Sequence, residues 1–167
     1  SNSSGDIFAS RSGDFSTGKI YRTTDMGSSW TLQINGLIPA GHHILEVNSN
    51  DVIFAGGYYG VSYSTDNGES WLTTAPTPEN LIAMGIDFNN DIYVSCFHPP
   101  DYFFYKSTDN GNSWILLTNG LSSFGVNGIA FSSDGYIYVT AYSNQIGQGK
   151  VFYSTNHGAN WISSSMN

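Results

Sequence analysis

The sequence predicts an all-β fold assembled from four copies of one supersecondary unit, and two observations predict it. One short stretch recurs four times: Thr23-Thr24-Asp25-Met26-Gly27-Ser28-Ser29-Trp30, Ser64-Thr65-Asp66-Asn67-Gly68-Glu69-Ser70-Trp71, Ser107-Thr108-Asp109-Asn110-Gly111-Asn112-Ser113-Trp114 and Ser154-Thr155-Asn156-His157-Gly158-Ala159-Asn160-Trp161. The copies start about 41, 43 and 47 residues apart, a spacing that marks a repeat architecture. Each copy also follows an alternating apolar run and leads into another, which is the pattern of a β-hairpin. Aromatic residues make up 15% of the chain and there are 19 Gly against 5 Pro, a composition that suits short strands and tight turns.

The composition of the stretch has a physical reason. Asp and Asn side chains accept hydrogen bonds from nearby backbone N–H groups and so favour turns. Gly two residues later supplies a positive φ. The Ser/Thr positions satisfy further donors. The Trp opens the next strand and can bury about 150–250 Å². That is roughly 4–6 kcal/mol gross at about 25 cal/mol/Å², against about 1.5–3 kcal/mol for a charge-assisted hydrogen bond. The Trp therefore outweighs the Asp. The fourth copy has Asn156 for Asp and Asn160 for Ser/Thr, yet keeps Trp161, and is expected to fold.

These residues resemble the Asp-box, also called the bacterial neuraminidase repeat. The motif recurs in sialidases, some glucan hydrolases, sortilin-like receptors and many secreted bacterial proteins. Three copies match in full, one is degenerate, and together they span nearly the whole chain. The resemblance implies a β-propeller, or a four-blade segment of one, with four-stranded antiparallel blades and the box between the third and fourth strands. It also implies a structural role for the box, on the face away from any active site. Asp25, Gly27, Trp30, Asp66, Gly68, Trp71, Asp109, Gly111, Trp114, Asn156, Gly158 and Trp161 are accordingly expected to be folding residues.

In chain order, residues 6–10 align with 51–55, 91–95 and 136–140, all β-branched and aromatic runs. Another strand is expected ahead of the last three, at 44–48, 81–87 and 126–131. The third strands fall at 19–23, 60–64, 103–107 and 150–154, and the fourth begin at each Trp. The blades then cover about 6–34, 44–75, 81–118 and 126–165 of a single domain, 1–167, with the first blade lacking its innermost strand. Propellers must close, because end blades otherwise expose apolar faces and strand edges. Three closures are expected as alternatives: further blades in a longer parent chain, a homodimer completing an eight-bladed ring, or four blades closing alone.

Charge limits the function. The net charge is −8 with only five Lys and Arg, which lacks the basic footprint that nucleic acid or anionic membranes need. No apolar run is long enough to span a membrane, and no secretory leader is visible in the opening residues. The polar, weakly charged surface points to a secreted, cell-surface or periplasmic bacterial setting. The lone Cys96 sits in an apolar run and reads as a small buried residue.

Two sets of loops are expected opposite the boxes: 11–18, 56–60, 96–102 and 142–149 within blades, and 35–43, 74–80 and 118–125 between them. The first set places Tyr58, Tyr59, Phe97, His98, Asp101, Tyr102, Tyr142 and Asn144 on one candidate ligand face. Aromatic rings beside Asn, Asp and His suit a sugar or a protein partner. The same rings can equally pack the loops onto the blades. Catalysis is not expected within this chain. A sialidase would need a cluster of arginines, and only Arg11 and Arg22 are present. Glycosidases generally need two carboxylates about 5–10 Å apart, and nothing pairs Asp14, Glu46, Glu79 or Asp101. His42 and His43 are adjacent on a strand and point to opposite faces, so no metal site is expected, and no cofactor. The reading is a non-catalytic recognition or scaffolding module. Its alternatives are a fragment of a glycoside hydrolase whose catalytic residues lie partly outside this chain, and a purely structural repeat assembly.

Overall fold

The computed structural model describes residues 1–11, 18–39, 41–74, 79–121, 124–143 and 145–164. Among these are fifteen strands and no helix. They form four antiparallel sheets in two compact units, Ser1–Thr77 and Pro78–Asn167.

The first unit holds two sheets. Sheet one is three-stranded: β1 (Ile7–Arg11), β2 (Lys19–Thr23) and β3 (Thr31–Gln33). Sheet two is four-stranded: β4 (His42–Val47), β5 (Ile53–Gly57), β6 (Gly60–Ser64) and β7 (Leu72–Thr73). The second unit holds sheet three, β8 (Leu81–Ile86), β9 (Ile92–His98), β10 (Asp101–Ser107) and β11 (Ile115–Leu116). Sheet four is β12 (Gly125–Phe131), β13 (Ile137–Ser143), β14 (Gln148–Ser154) and β15 (Ile162–Ser163). Every sheet is a simple meander in chain order.

The repeated turn joins the last two strands of each sheet, and its side chains bond to the turn's own backbone and to one another. In the first copy Gly27 N–H donates to Thr23 Oγ1 at 2.9 Å and Ser29 N–H donates to Asp25 Oδ1 at 2.9 Å. Thr23 Oγ1–H donates to the same carboxylate at 2.7 Å. The corresponding bonds recur at Ser64 and Asp66, and at Ser107 and Asp109. Asn156 reproduces them with a neutral amide: Asn160 N–H donates to its Oδ1 at 2.9 Å. The residue between Asp/Asn and Gly has positive φ in every copy: Met26, Asn67, Asn110 and His157. These hydrogen bonds also set the charge. The Ser29 hydroxyl, then Thr23, hold the Asp25 carboxyl down to about 2. Hydrogen bonds from Ser113, then Ser107, also hold the Asp109 carboxyl below its ordinary value. At Asp66 burial pushes upward, but the Ser70 and Ser64 bonds outweigh it and the net direction is down.

A second turn recurs at the other strand junction on the same side. Asn48 Oδ1 accepts from Asn50 and Val52 N–H, and Asp87 Oδ1 accepts from Asn89 and Asp91 N–H. Ser132 Oγ accepts from Tyr136 N–H. The residues ahead of β1 have the same form. Asn2 Oδ1 accepts from Asp6 N–H at 2.8 Å, Asn2 N–H donates to Asp6 O, and Gly5 N–H donates to Asn2 O. Side chains pin this turn to sheet two, through Asn2 to Asn67 Oδ1 at 3.0 Å and Ser3 N–H to Asp51 Oδ1 at 2.7 Å.

Packing follows from strand alternation. In the first unit Phe8 and Ile20 of sheet one lie against Ile53, Ala55 and Trp71 of sheet two. In the second, Tyr93 and Phe104 of sheet three lie against Ile137, Val139, Phe152 and Trp161 of sheet four. Trp71 and Trp161 are buried in the core, whereas Trp30 is substantially exposed. The reason is positional: its own turn is intact, but no sheet of the first unit covers that side of sheet one.

Candidate functional site

The expected ligand loops are shorter than their sequence ranges. β9 runs on to His98 and β10 begins at Asp101, so the turn is only Pro99-Pro100. Phe97 pairs with Tyr102 across this ladder, and their rings are 4.7 Å apart. Aromatic side chains favour the extended ladder over a loose loop. Likewise Tyr58-Tyr59 is a two-residue turn between Gly57 and Gly60, and β13 reaches Ser143 before β14 starts at Gln148.

The candidate residues therefore divide between the units. Tyr58 and Tyr59 belong to the first. Tyr58 packs its ring 5.6 Å from that of His43, while Tyr59 is exposed. Phe97, His98, Asp101, Tyr102 and Tyr142 belong to the second, and Asn144 lies outside the described residues, as do Asp14 and Phe15. The Tyr102 ring lies against Gly125, where an added Cβ would come within 2.3 Å of it. Gly125 pairs across the ladder with Tyr142. Glycine at 125 thus lets Tyr102 lie beside the strand that carries Tyr142. His98 sets its ring edge against Phe103, 6.4 Å away.

Asp101 and Tyr102 line a cleft of about 210 Å³ within the second unit. Its other walls are Phe103, Phe104, Leu116, Leu117, Thr118, Leu121 and Phe124. The lining joins the β9–β10 hairpin to the segment after β11. Phe124 is held in place by an edge contact with Phe152 at 5.0 Å and by the Lys150 ammonium 5.5 Å from its ring centre. The 118–125 segment was expected near a ligand face, but the leucines of the wall were not singled out. Their signal was the pair Leu116-Leu117 within the Trp-led run, which periodicity alone assigns to core.

The chemistry of the cleft is simple. Asp101 is its one carboxylate, and it is exposed. Glu79 is exposed outside the lining. Glu46 lies in the first unit, where burial raises its pKa. Arg22 is engaged by Asp6 at 2.6 Å. Burial pushes the Cys96 thiol up to about 11, so it stays protonated. Among the described residues no three His, Cys, Asp or Glu side chains cluster to hold a metal ion. His42 is fully buried, and burial lowers its pKa. One ring nitrogen lies 3.0 Å from Ile38 O, and His43 points the other way, to solvent.

No protein-family model and no curated protein matches this chain. Its fold does match solved structures. The GH74 xyloglucanase from Xanthomonas campestris superposes with a TM-score of 0.75 at 15% identity, over 96% of this chain and 28% of that one. A Hadza microbial sialidase matches with 0.66 at 15% identity, over 98% of this chain and 45% of that one. PorZ, a bacterial surface component of the type-IX secretion system of Porphyromonas gingivalis, matches with 0.66 at 13% identity, over 96% and 26%. This chain thus spans less than half the length of each. These neighbours are β-propellers, and the four sheets are blades of a four-blade propeller segment, numbered below as the sheets were.

Proposed function

We propose that this chain is a non-catalytic recognition module of the Asp-box propeller type, working outside the cytoplasm. It binds a protein partner by taking an apolar side chain of that partner into the cleft of the second unit. The observation that carries the reading is the lining, seven apolar or aromatic residues beside Asp101 and Thr118, with the Tyr102 hydroxyl the one polar side-chain group among the seven. A sugar needs many hydroxyls satisfied, and unpaired polar groups are costly to bury. The volume also falls below the roughly 300–1,000 Å³ of small-molecule pockets. An aliphatic or aromatic anchor fits such a space, and a basic neighbour on the partner would meet Asp101. The role of PorZ as a bacterial surface component supports an extracytoplasmic setting.

Carbohydrate is the second ligand class, favoured by the exposed rings of Tyr59 and Tyr142. A segment of a propeller glycoside hydrolase is the alternative favoured by the likeness to the xyloglucanase and the sialidase. One set of assays separates the three. A displayed peptide library should yield binders that are lost in Leu116→Glu, a variant that puts charge at an exposed cleft wall. A glycan-array signal lost in Leu116→Glu or Tyr102→Ala would replace protein by sugar as the ligand. Hydrolysis of a chromogenic glycoside panel, abolished by Asp101→Asn, would overturn the non-catalytic reading.

A further inference from the structure

In the first unit a seam forms where Phe8 and Ile20 of blade one cover Ile53, Ala55 and Trp71 of blade two. His42 stands at one end of this seam. It pairs with Gly57 across the ladder, two residues beyond Ala55 on the same face of β5, and it is 0% exposed. The backbone just ahead of it passes close over β5, since a Cβ added at Gly57 would come within 2.6 Å of Gly41 O. Three contacts hold the segment that joins the two blades. Trp71 N–H donates to Asn35 O at 2.8 Å, Leu37 packs on the apolar cluster of the seam, and His42 Nε2–H donates to Ile38 O at 3.0 Å.

This geometry suits only the neutral ring. A carbonyl accepts and never donates, so the bond to Ile38 places the ring proton on Nε2. Nδ1 is buried and has no hydrogen-bond partner among the described residues. Among those residues no counter-ion faces it either. On its own strand His43 opposes a second proton, and Glu46 pairs with Phe54 on the other face of the sheet. The β5–β6 turn carries Tyr58 and Tyr59, and residues 34–41 include no ionisable side chain. In sheet one Tyr21 is neutral, Arg11 and Lys19 are cations, and Arg22 and Asp6 pair with each other at 2.6 Å. Burial outweighs the help of the Ile38 and Ala55 carbonyls, so the His42 pKa is lowered. The same position is apolar in the second unit. Leu81 pairs with Cys96 and Val126 with Ala141 at the same register, each beside the same one-residue bulge, and they are 4% and 1% exposed. A blade therefore needs no imidazole there in order to pack.

We propose that His42 is an acid-sensitive latch on the seam between blades one and two, and that uptake of a second ring proton in mild acid releases the joining segment and opens the seam. A proton on Nδ1 would leave a buried cation with no carboxylate to face it, which a closed seam cannot hold cheaply. The opened state takes that proton near the ordinary histidine value of 6.5, whereas the closed state resists it. Closure is thus fully present above that pH and weakens as pH falls below it. For one proton the opening equilibrium rises by at most about tenfold per pH unit. The second unit has Val126 and Leu81 in this place and lacks the response. The latch includes no residue of the cleft and stands apart from the recognition reading.

The test is native-state hydrogen exchange of the whole chain, read by NMR between about pH 7.5 and pH 5.5, in wild type and in His42→Val. The valine copies the residue of blade four. Two amides report, Trp71 N–H for the first unit and Trp161 N–H for the second, each bonded to the segment ahead of its own blade. Once the intrinsic pH dependence of exchange is removed, Trp71 protection in wild type should fall up to about tenfold relative to the variant. Trp161 protection should be the same in both chains. Glu46 and His43 are common to both chains, so their own titrations cancel. If His42→Val fails to fold, His42→Leu, the residue of blade three, takes its place. An NMR titration of the wild-type ring gives a reading that needs no variant, and it should find the Nε2-protonated neutral tautomer still dominant at pH 6. The proposal is overturned if Trp71 responds equally to pH in wild type and variant, or if Trp161 shows the same loss as Trp71. A ring that titrates at 6.5 or above overturns it as well.

Discussion

Replacing Trp71 by alanine should cost more than replacing Trp30, although the two occupy the same place in the same motif. Trp71 is 2% exposed and packs with Ile20, Ile53 and Ala55, while Trp30 is 43% exposed. Full burial of a Trp is worth roughly 4–6 kcal/mol gross, and measured Trp→Ala losses in cores run about 3–5 kcal/mol once the cavity is included. Trp71→Ala should fall in that range. Trp30 keeps only its contacts with its own blade and turn, such as the ring edge 3.8 Å from the Cβ position of Gly27. Scaling by the somewhat more than half of its area that it buries gives about 2–3 kcal/mol for Trp30→Ala. Both residues lie in the first unit, so one unfolding transition reports both. The assay is urea denaturation followed by far-UV circular dichroism. Equal losses for the two variants would refute the claim that the motif's Trp stabilises through the neighbouring blade. A loss below about 1 kcal/mol for Trp71→Ala would refute its place in the core.

Four further outcomes follow from named features. Gly36→Ala and Gly135→Ala both place alanine at positive φ, at a cost of about 1–2 kcal/mol. Only at Gly36 does the new Cβ also meet a carbonyl oxygen at 2.3 Å, so its loss of thermal stability should be clearly the larger. The carboxyl groups of Asp25, Asp66 and Asp109 are held below their ordinary value, so their stabilisation is present above about pH 4 and is lost as pH falls toward 2. Replacing all three by Asn, which Asn156 already shows to be compatible with the turn, should flatten the denaturation midpoint between pH 5 and pH 2.5. Glu46 is shifted the other way by burial, so its contribution is present below its ordinary value and is lost as pH rises through the raised folded value. Glu46→Gln should therefore stabilise at pH 7 and be neutral near pH 3, as read by urea midpoints. Met26 holds a φ of 55° where two other copies have Asn, so Met26→Asn should raise stability by up to about 1 kcal/mol in the same assay.

Strand positions were legible because they rest on local chemistry. β2 and β6 begin and end where the alternation of Lys19–Thr23 and Gly60–Ser64 places them. The turn residues likewise act through partners no more than four positions away, as Asp25 does with Thr23 and Ser29. The β9–β10 turn was less legible. Reading Phe97 to Tyr102 as loop overlooks that two aromatics facing each other across a ladder favour continuing it. The exposure of Trp30 was not legible at all, since a side chain's preference for burial says nothing about whether a neighbour is there to bury it. The cleft belongs to the same class. Asp101 and Tyr102 were singled out, but Leu116, Leu121 and Phe124 become a wall only when the segment after one sheet folds over the hairpin of that sheet.

The turn ahead of β1 has a practical consequence. In blades two to four the matching turn reverses the chain, so that the strand before it runs antiparallel to the strand after it. Asn2–Asp6 keeps the same hydrogen bonds and is anchored to Asn67 and Asp51, while β1 pairs with β2 on one side only. Any segment joined at Ser1 therefore leaves the turn already aimed back along the open side of β1, with a row of backbone donors and acceptors in front of it. A short run of β-branched residues fused there would extend the sheet by addition, whereas a Pro- or Gly-rich linker would be shed into solvent.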